Sequence, residues 1–173
     1  MIREAAPGDV AAITAIYADA VANGTGTWET AAPGAPEMGR RLGRITGAGY
    51  PWLVAEADGA VLGYGYAGPF RGRAAYDWSV EDTVYVAADA RGRGVGKALL
   101  GALVERCAAR GYRQMVAVLG DADGPSRALH EACGFEARGR LPSFGFKHGR
   151  WLDLLLMQRA LGQGAQTPPE RIG

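Results

Sequence analysis

An apolar strand that runs into a glycine-rich helix start is the feature that most limits the folds open to this chain. The strand ends at Val84-Tyr85-Val86, and after a short linker the segment Arg91-Gly92-Arg93-Gly94-Val95-Gly96-Lys97 opens a helix. Backbone N–H groups at a helix start have no partner inside the helix, and the helix dipole favours negative charge there. Glycines let a ligand approach the main chain, and Arg91, Arg93 and Lys97 add positive charge. The segment therefore predicts a site for a phosphate or pyrophosphate group.

Two other phosphate-binding loops do not fit this spacing. A dinucleotide-binding G-x-G-x-x-G loop requires a glycine at Lys97 or, in the second register, at Leu99. A Walker-type loop requires Ser or Thr after Gly96-Lys97 and a glycine in place of Arg91. Taken alone, the segment is also compatible with a glycine-rich turn whose arginines are solvated.

Hydrophobic periodicity and turn residues predict the elements around this motif. Asp58-Gly59 is typical of a hairpin turn, and the apolar run Met115 to Leu119 is typical of a strand buried on both faces. The predicted strands are 1–5, 52–56, 61–67, 76–86, 115–119, 135–140 and 151–158, the last two joined by an irregular loop, and the predicted helices are 10–23, 36–45, 95–110 and 126–133. The order β-α-α-β-β-β-α-β-α-β-β indicates an α/β (α+β) fold.

The length of 173 residues favours one domain, which we expect to span residues 1–161. Residues 162–173, with Pro168-Pro169, lack periodicity and are expected to form a flexible tail. The formal net charge of +1 gives no global field that would draw the protein onto nucleic acid or an anionic membrane. No apolar stretch approaches the roughly 20 residues that span a bilayer.

The two cysteines give no sign of a metal site or a disulfide framework. Cys107 and Cys133 both lie in predicted helical, apolar segments without CxxC or Cys/His ligand spacing. Buried, reduced thiols are the expected state, and no charged leader precedes an apolar run at the start of the chain. We expect a cytoplasmic protein without a bound metal.

At this point the sequence resembles a known family. Arg91-Gly92-Arg93-Gly94-Val95-Gly96 after an apolar strand is similar to the R/Q-x-x-G-x-G/A loop of the GCN5-related N-acetyltransferase (GNAT) family. The resemblance is closest to its phosphinothricin and methionine sulfoximine acetyltransferases and extends from Met1 to about Leu161. It rests also on the segments 50–55, 66–70, 75–78, 81–86, 129–131 and 145–153, which read YPWLVA, YAGPF, AYDW, EDTVYV, LHE and GFKHGRWLD.

The resemblance implies a mixed, mostly antiparallel twisted sheet flanked by helices, acetyl-coenzyme A as cofactor, and a homodimer. It implies that Val84, Tyr85 and Val86 pair with the pantetheine arm, and that the whole segment from Arg91 to Lys97 holds the pyrophosphate. Ser126 and Asp123 are the further cofactor contacts that it suggests. Relatives often carry Asn where this chain has Asp123, and an ionised aspartate accepts hydrogen bonds but does not donate the one that an asparagine could.

The resemblance also implies the catalytic residues. An amine must lose a proton before it attacks a thioester, and Glu81 is the candidate general base, acting directly or through water. His130 matches a family histidine with a proton-transfer role and is a candidate to protonate the departing thiolate. His130 is equally compatible with a histidine that only contacts coenzyme A.

The acceptor residues follow from the same resemblance. Arg71 and Arg73, expected in an extended loop, are candidates to bind a carboxylate or phosphinate. Trp28, Thr83 and Tyr85 are expected to wall the acceptor pocket, although core packing would account equally for the two aromatic residues, and Lys147 is expected to help bind acid groups.

The predicted function is therefore direct acetyl transfer, in a ternary complex, to the amino group of a small anionic amino-acid analogue. Phosphinothricin, methionine sulfoximine and methionine sulfone are the expected acceptors, with resistance to such compounds as the biological outcome. A GNAT enzyme with another amino-acid or amine acceptor, and a non-catalytic acyl-coenzyme A-binding module, are the alternatives.

Overall fold

A seven-stranded sheet with helices on both faces organises the computed structural model, which describes residues 1–169. The strands are β1 Ile2–Glu4, β2 Trp52–Ala57, β3 Ala60–Pro69, β4 Ser79–Val86, β5 Gln114–Leu119, β6 Glu136–Lys147 and β7 Arg150–Ala160, and the helices are α1 Val10–Asn23, α2 Ala35–Gly47, α3 Val95–Ala109 and α4 Pro125–Ala132. The element order is the one that the sequence predicts. Among residues 1–169, no helix is both long and apolar enough to cross a membrane.

The sheet has the strand order β1-β2-β3-β4-β5-β7-β6. Each neighbouring pair is antiparallel except β4 and β5, which are parallel. This parallel pairing covers only Ser79–Glu81 against Gln114–Val116, and the two strands separate beyond it. The separation opens a gap in the middle of the sheet, where both strands still have several residues to run.

Two apolar layers cover the two faces of the sheet. α1 and α2 pack on one face, where Ile13 and Met38 contact the layer containing Trp52 and Tyr64. α3 packs on the other face, where its buried stripe has helical spacing: Leu99, Leu100, Leu103, Val104 and Cys107. Because both faces of β2 are covered, its first four residues are all buried despite the alternation of side chains.

Glycines in β3 let α3 lie close to the sheet. A Cβ atom on Gly63 would lie 3.2 Å from Leu99 Cδ1 of α3, and one on Gly65 would lie 3.0 Å from Leu103 Cδ1 of the same helix. Real Cβ atoms rarely come that close to a neighbour, so a larger residue would push α3 away from β3 and β4. The position of the glycine-rich helix start relative to β4 thus depends on these two residues.

The hairpin of β6 and β7 differs from its prediction. The prediction of an irregular loop between residues 140 and 151 is wrong, because both strands continue to a two-residue turn. The turn residues are His148 and Gly149, whose φ values are 51° and 72°. A positive φ at both turn residues matches the twist of a hairpin. Pro142 and the irregular pairing between Leu141 and Gly145 are accommodated in a bulge, which disguises the strand in the sequence.

Two other strands also depart from prediction. β4 begins at Ser79 and not at residue 76, because Ala74–Tyr76 form a short 3₁₀ turn. β5 is not buried on both faces, since Val116 and Val118 are only half-buried and border cavities. The α1–α2 layer packs on β2, β3 and β4, and this leaves that face of β5 open.

The segment after β7 is bonded to the rest of the domain. Leu161 donates its N–H to the Arg113 carbonyl oxygen at 2.9 Å. The Arg113 guanidinium donates to the Gly164 carbonyl at 3.2 Å and to Thr167 Oγ1 at 3.1 Å. Residues 170–173 of the expected tail lie outside the described residues, and the domain limits stay a prediction.

Candidate active site

The gap between β4 and β5 holds a cavity of about 130 Å³. Ala87 N donates to Leu62 O at 2.9 Å, and since bonding alternates along a strand, the N–H groups of Val84 and Val86 lie at the opposite edge of β4, facing the gap. The cavity is lined by Gly26, Thr27, Trp28, Glu81, Asp82, Thr83, Val84, Tyr85, Val118, Leu119, Ser126 and His130. Most of the predicted catalytic and pocket residues therefore lie around one space.

Glu81 is the half-buried carboxylate of this cavity. Burial raises its pKa, the neighbouring Asp82 raises it further, and Arg71 opposes the shift. A carboxylate with a raised pKa is a better proton acceptor than an exposed one. The cavity therefore contains a group suited to deprotonate an amine.

His130 forms a buried pair with Asp82 across the gap. Its Nε2 lies 3.0 Å from Asp82 Oδ1, and its Nδ1 lies 2.6 Å from the Ser126 carbonyl oxygen. Because a carbonyl only accepts, Nδ1 carries a proton. Burial raises the pKa of Asp82. Although burial lowers the pKa of His130, the contacts with Asp82 outweigh it and raise that pKa.

Asp82 is a site residue that the sequence did not point to. The side chains of Asp82 and His130 are 2% and 3% exposed, and within residues 1–169 the second oxygen, Asp82 Oδ2, has no hydrogen-bond partner. One signal in the sequence could have identified it. Asp82 lies on the same face of β4 as the apolar Val80 and Val84, where a lone carboxylate is unusual. Both ring nitrogens of His130 are engaged, so the imidazole has no free nitrogen toward the cavity.

The segment 26–28, which follows α1, closes one side of the cavity and is held in place by contacts with β6. Lys147 donates from Nζ to the Thr27 carbonyl at 2.9 Å, and Thr27 Oγ1 shares a hydrogen bond of 2.8 Å with the Tyr17 hydroxyl. Trp28 packs directly on Gly145, where any Cβ atom would overlap the indole ring. Lys147 is buried, burial lowers its pKa, and it does not line the cavity. The structure therefore places Lys147 behind the pocket wall, next to Thr27.

Arg71 and Arg73 lie in the exposed loop between β3 and β4. The loop is bent and not extended as expected, since Arg73 N donates to Arg71 O at 3.0 Å. The Arg71 guanidinium lies 5.1 Å from the centre of the Phe70 ring, and within residues 1–169 neither arginine has an ion pair. Neither lines the cavity, although Arg71 is near enough to Glu81 to lower the pKa of its carboxyl group.

A larger cleft of about 700 Å³ leads away from this cavity along the start of α3. Gly92 and Gly94 have φ values of 73° and 81°, and a Cβ atom on either would point into open space. The first bond inside the helix is from Ala98 N to Gly94 O, which leaves the preceding N–H groups without a helical partner. The cleft is lined by Val84, Val86, Ala90, Arg91, Gly92, Gly94, Val95, Gly96, Lys97, Pro125, Ser126, Ala128, Leu129 and Ala132.

Three of the predicted cofactor residues lie outside these lining residues: Tyr85, which lines the smaller cavity, Arg93 and Asp123. Arg93 is exposed on the loop, and Asp123 forms ion pairs with Arg140 at 3.0 Å and with Arg127 at 3.6 Å. Arg91 lines the cleft while bonded to Asp19 at 2.7 Å and to the Val86 carbonyl at 3.3 Å. The remaining residues still fit a long cofactor: open backbone donors on β4, and a glycine-rich, basic helix start for its phosphates.

Comparison with known proteins decides the family. Residues 10–135 match the model of the acetyltransferase (GNAT) family. The chain belongs to this family. It is 48% identical over 170 residues, 98% of its length and 86% of the relative's, to a phosphinothricin N-acetyltransferase from Alcaligenes faecalis.

Two further relatives extend the comparison. An L-methionine sulfoximine/L-methionine sulfone acetyltransferase from Pseudomonas paraeruginosa is 41% identical, with 96% of this chain and 98% of that protein covered. A phosphinothricin acetyltransferase from Sinorhizobium meliloti, solved in complex with AcCoA, is 51% identical and superposes with a TM-score of 0.97 over 99% of this chain and 93% of that one.

These comparisons confirm four predictions made from the sequence: the GNAT family, the mixed sheet flanked by helices, an N-acetyltransferase, and acetyl-coenzyme A as cofactor. The roles of individual residues are not decided by them and stay predictions. The geometry nevertheless divides the predicted residues into those around the cavity and cleft and those that lie apart from both.

Proposed function

We propose that this enzyme acetylates the amino group of a small, anionic amino-acid analogue by direct transfer within a ternary complex. One observation carries the proposal: the half-buried Glu81 lines a cavity that shares Val84 and Ser126 with the cofactor cleft. An amine in the cavity therefore lies beside the end of the cleft and beside the carboxylate of Glu81, where it can attack the thioester directly. Mass spectrometry of methionine sulfone incubated with enzyme and acetyl-coenzyme A tests this, and an acetylated enzyme in place of N-acetylated product would contradict direct transfer.

The reaction needs one acceptor for a proton and one set of donors for developing negative charge. Bound acetyl-coenzyme A supplies the acetyl group as a thioester, whose sulfur leaves with the C–S electron pair. Glu81 takes a proton from the ammonium of the acceptor, so that the amine lone pair is free to form the new C–N bond. N–H groups on the open edge of β4 at Val84 and Val86 stabilise negative charge on the carbonyl oxygen. Of the two protons lost by nitrogen, one ends on the thiol and one returns to solvent.

The cofactor is held, in this proposal, by the strand and the helix start. Val84, Tyr85 and Val86 line the inner end, and the backbone from Gly92 to Lys97 binds the pyrophosphate, with Arg91 and Lys97 adding charge at the cleft. Ser126 lies on the opposite wall. The exposed Arg93 contributes charge from outside the cleft, whereas the carboxylate of Asp123 is engaged in ion pairs with Arg140 and Arg127.

The acceptor class follows from the relatives and from the charges near the cavity. Phosphinothricin, methionine sulfoximine and methionine sulfone are named for the relatives, and each carries an amino group next to a carboxylate. Trp28, Thr83 and Tyr85 wall the cavity on the side of Glu81. Arg71 and Arg73 have no ion pair within residues 1–169. We infer that their guanidinium groups move to bind the acid groups when the acceptor binds.

Replacing Arg71 or Arg73 by alanine tests this inference. We expect the KM for methionine sulfone to rise about tenfold or more, the size of one lost charge-assisted hydrogen bond, while the KM for acetyl-coenzyme A changes little. The control is Arg44→Ala, since Arg44 is equally exposed and has no ion pair within residues 1–169. Methionine sulfone amide, which lacks the carboxylate, should lose this dependence on the arginines. Equal increases in both KM values would contradict acceptor binding by these side chains.

Another amino acid or amine as acceptor is the second candidate, because fold and cofactor site do not determine the substrate. The bent, exposed loop of Arg71 and Arg73 favours it, since neither arginine lines the cavity in this structure. A non-catalytic acyl-coenzyme A-binding module is disfavoured by the N-acetyltransferase relatives and by the carboxylate of Glu81 inside the cavity.

We propose a homodimer that forms through the β6 edge of the sheet. β6 is an edge strand of the sheet. The exposed aromatic residues Phe144, Phe146 and Trp151 lie on the hairpin that it forms with β7, and Trp151 is 63% exposed. An unpaired apolar edge strand is prone to pair with another chain. The double substitution Phe146→Ser with Trp151→Ser should convert a dimer to a monomer in light-scattering measurements, and a wild-type monomer would refute the proposal.

We propose further that the enzyme works in the cytoplasm and confers resistance to toxic amino-acid analogues. Buried Cys107 and Cys133 are both free thiols, a state that suits a reducing compartment. Growth on phosphinothricin with and without expression of the enzyme tests the resistance, and equal sensitivity would contradict it. Activity found only in an extracytoplasmic fraction of the producing cells would contradict the location.

A further inference from the structure

Helix α4 forms one wall of the cofactor cleft, and β4 forms the opposite wall. Pro125, Ser126 and Leu129 line the cleft from α4, while Val84 and Val86 line it from β4. β4 and β5 do not pair beyond Glu81 and Val116. Hydrogen bonds of the sheet therefore do not fix the distance between the β4 wall and the α4 wall there.

A buried polar contact spans the gap between these walls. His130 on α4 reaches Asp82 on β4 at 3.0 Å, and on its other side the same ring donates to the Ser126 carbonyl at 2.6 Å. The His130 ring packs nearly perpendicular to the Phe135 ring, with centres 5.0 Å apart, which limits its rotation. The chain Asp82–His130–Ser126 therefore connects β4 to a residue that itself lines the cleft.

We propose that Asp82 is a positioning residue for the cofactor: through His130 it fixes the α4 wall at the distance from β4 at which the cleft binds coenzyme A. This inference rests on the proposed cofactor site. Asp82 Oδ2 is buried and without a partner among residues 1–169, so neither carboxylate oxygen is open to a ligand. Asp82 thus acts on the cofactor only by holding His130.

The contact contains one shared proton, on either His130 Nε2 or Asp82 Oδ1. Loss of that proton leaves one ring proton for two acceptors, the Asp82 carboxylate and the Ser126 carbonyl, so one of the two hydrogen bonds of the chain breaks and the α4 wall loosens. The titratable and charged neighbours are Glu81 on β4, Cys107 on α3 and Cys133 after α4, with Lys97 and Arg159 near Cys133. Burial raises the pKa of the Cys107 thiol to about 12, so this thiol stays neutral while the pair titrates.

Two substitutions separate the hydrogen bond from the charge. Asp82→Ala removes both, and we expect coenzyme A to bind about tenfold or more weakly by calorimetry, because a smaller fraction of the protein then holds the cleft at its binding width. Asp82→Asn keeps the hydrogen bond, because its amide N–H donates to the neutral Nε2, and affinity should stay near that of the wild type. The control is Asp58→Asn, an exposed position in the β2–β3 turn.

The pH dependence distinguishes positioning from a loss of stability. Toward alkaline pH the wild type should lose affinity for coenzyme A relative to Asp82→Asn, since the variant needs no shared proton; taking the ratio at each pH cancels the titration of coenzyme A itself. A constant ratio would overturn the proposal, as would unchanged affinity in Asp82→Ala. Failure of the wild type to bind coenzyme A would refute the cofactor site itself, which is a different result.

Discussion

Glu81→Gln should lower kcat by roughly 10²- to 10⁴-fold, the usual contribution of a general base, while coenzyme A binds as in the wild type. Glutamine has the shape of glutamate but cannot take the proton of the acceptor amine. Thiol release measured at saturating acetyl-coenzyme A gives kcat, and calorimetry with coenzyme A gives the affinity. An unchanged kcat would remove Glu81 from the mechanism.

The pH profile gives this prediction a second readout. Because burial raises the pKa of Glu81, kcat/KM of the wild type should fall as pH drops through that raised pKa, and the variant should lack this limb. The thermal stability of the variant should change in the direction opposite to its activity. A carboxyl group whose folded pKa is raised costs stability once it is ionised, so Glu81→Gln should unfold at a higher temperature than the wild type at neutral pH, with the difference vanishing in acid.

Gly94→Val should abolish tight binding of the cofactor. Gly94 has a φ of 81° at the start of α3, a conformation that costs a β-branched residue about 1–2 kcal/mol, and it lines the cleft with open space around its Cβ position. Valine would either block the approach of a phosphate or move the loop that holds it. We expect coenzyme A affinity to fall at least about tenfold, measured by calorimetry, alongside a modest drop in melting temperature.

The control for this variant lies on the same helix. Gly101 has open space for a Cβ atom and a helical backbone, so Gly101→Ala should leave cofactor affinity unchanged and stabilise α3 by up to about 1 kcal/mol. If Gly94→Val bound coenzyme A as tightly as Gly101→Ala, the phosphate site would have to lie elsewhere.

The order of strands and helices was predictable because local signals marked it. Asp58-Gly59 has positive φ at both residues and joins β2 to β3 as predicted, and the stripe from Leu99 to Cys107 is the buried face of α3. His148 and Gly149 make the same kind of turn, but His-Gly is not a common signal for it, so the length of β6 was missed. Local patterns thus give elements and leave out irregular hairpins.

The site depends on relations that no local pattern encodes. The separation of β4 from β5 beyond Glu81 and Val116 is a property of two strands far apart in the chain, yet it makes the cavity. The pair of Asp82 and His130 also joins distant segments, and only the unusual parity of Asp82 on β4 signals it. Lys147 was expected at the acceptor, but it donates to the Thr27 carbonyl behind the wall.

Thiol release from acetyl-coenzyme A, measured against a panel of acceptors, tests the central claim most directly. The panel contains phosphinothricin, methionine sulfoximine, methionine sulfone, ordinary amino acids and simple amines. We predict saturable turnover with the first three, and little with amines that lack an acid group. Turnover with simple amines alone, or coenzyme A binding without turnover on any acceptor, would contradict an acetyltransferase for anionic amino-acid analogues.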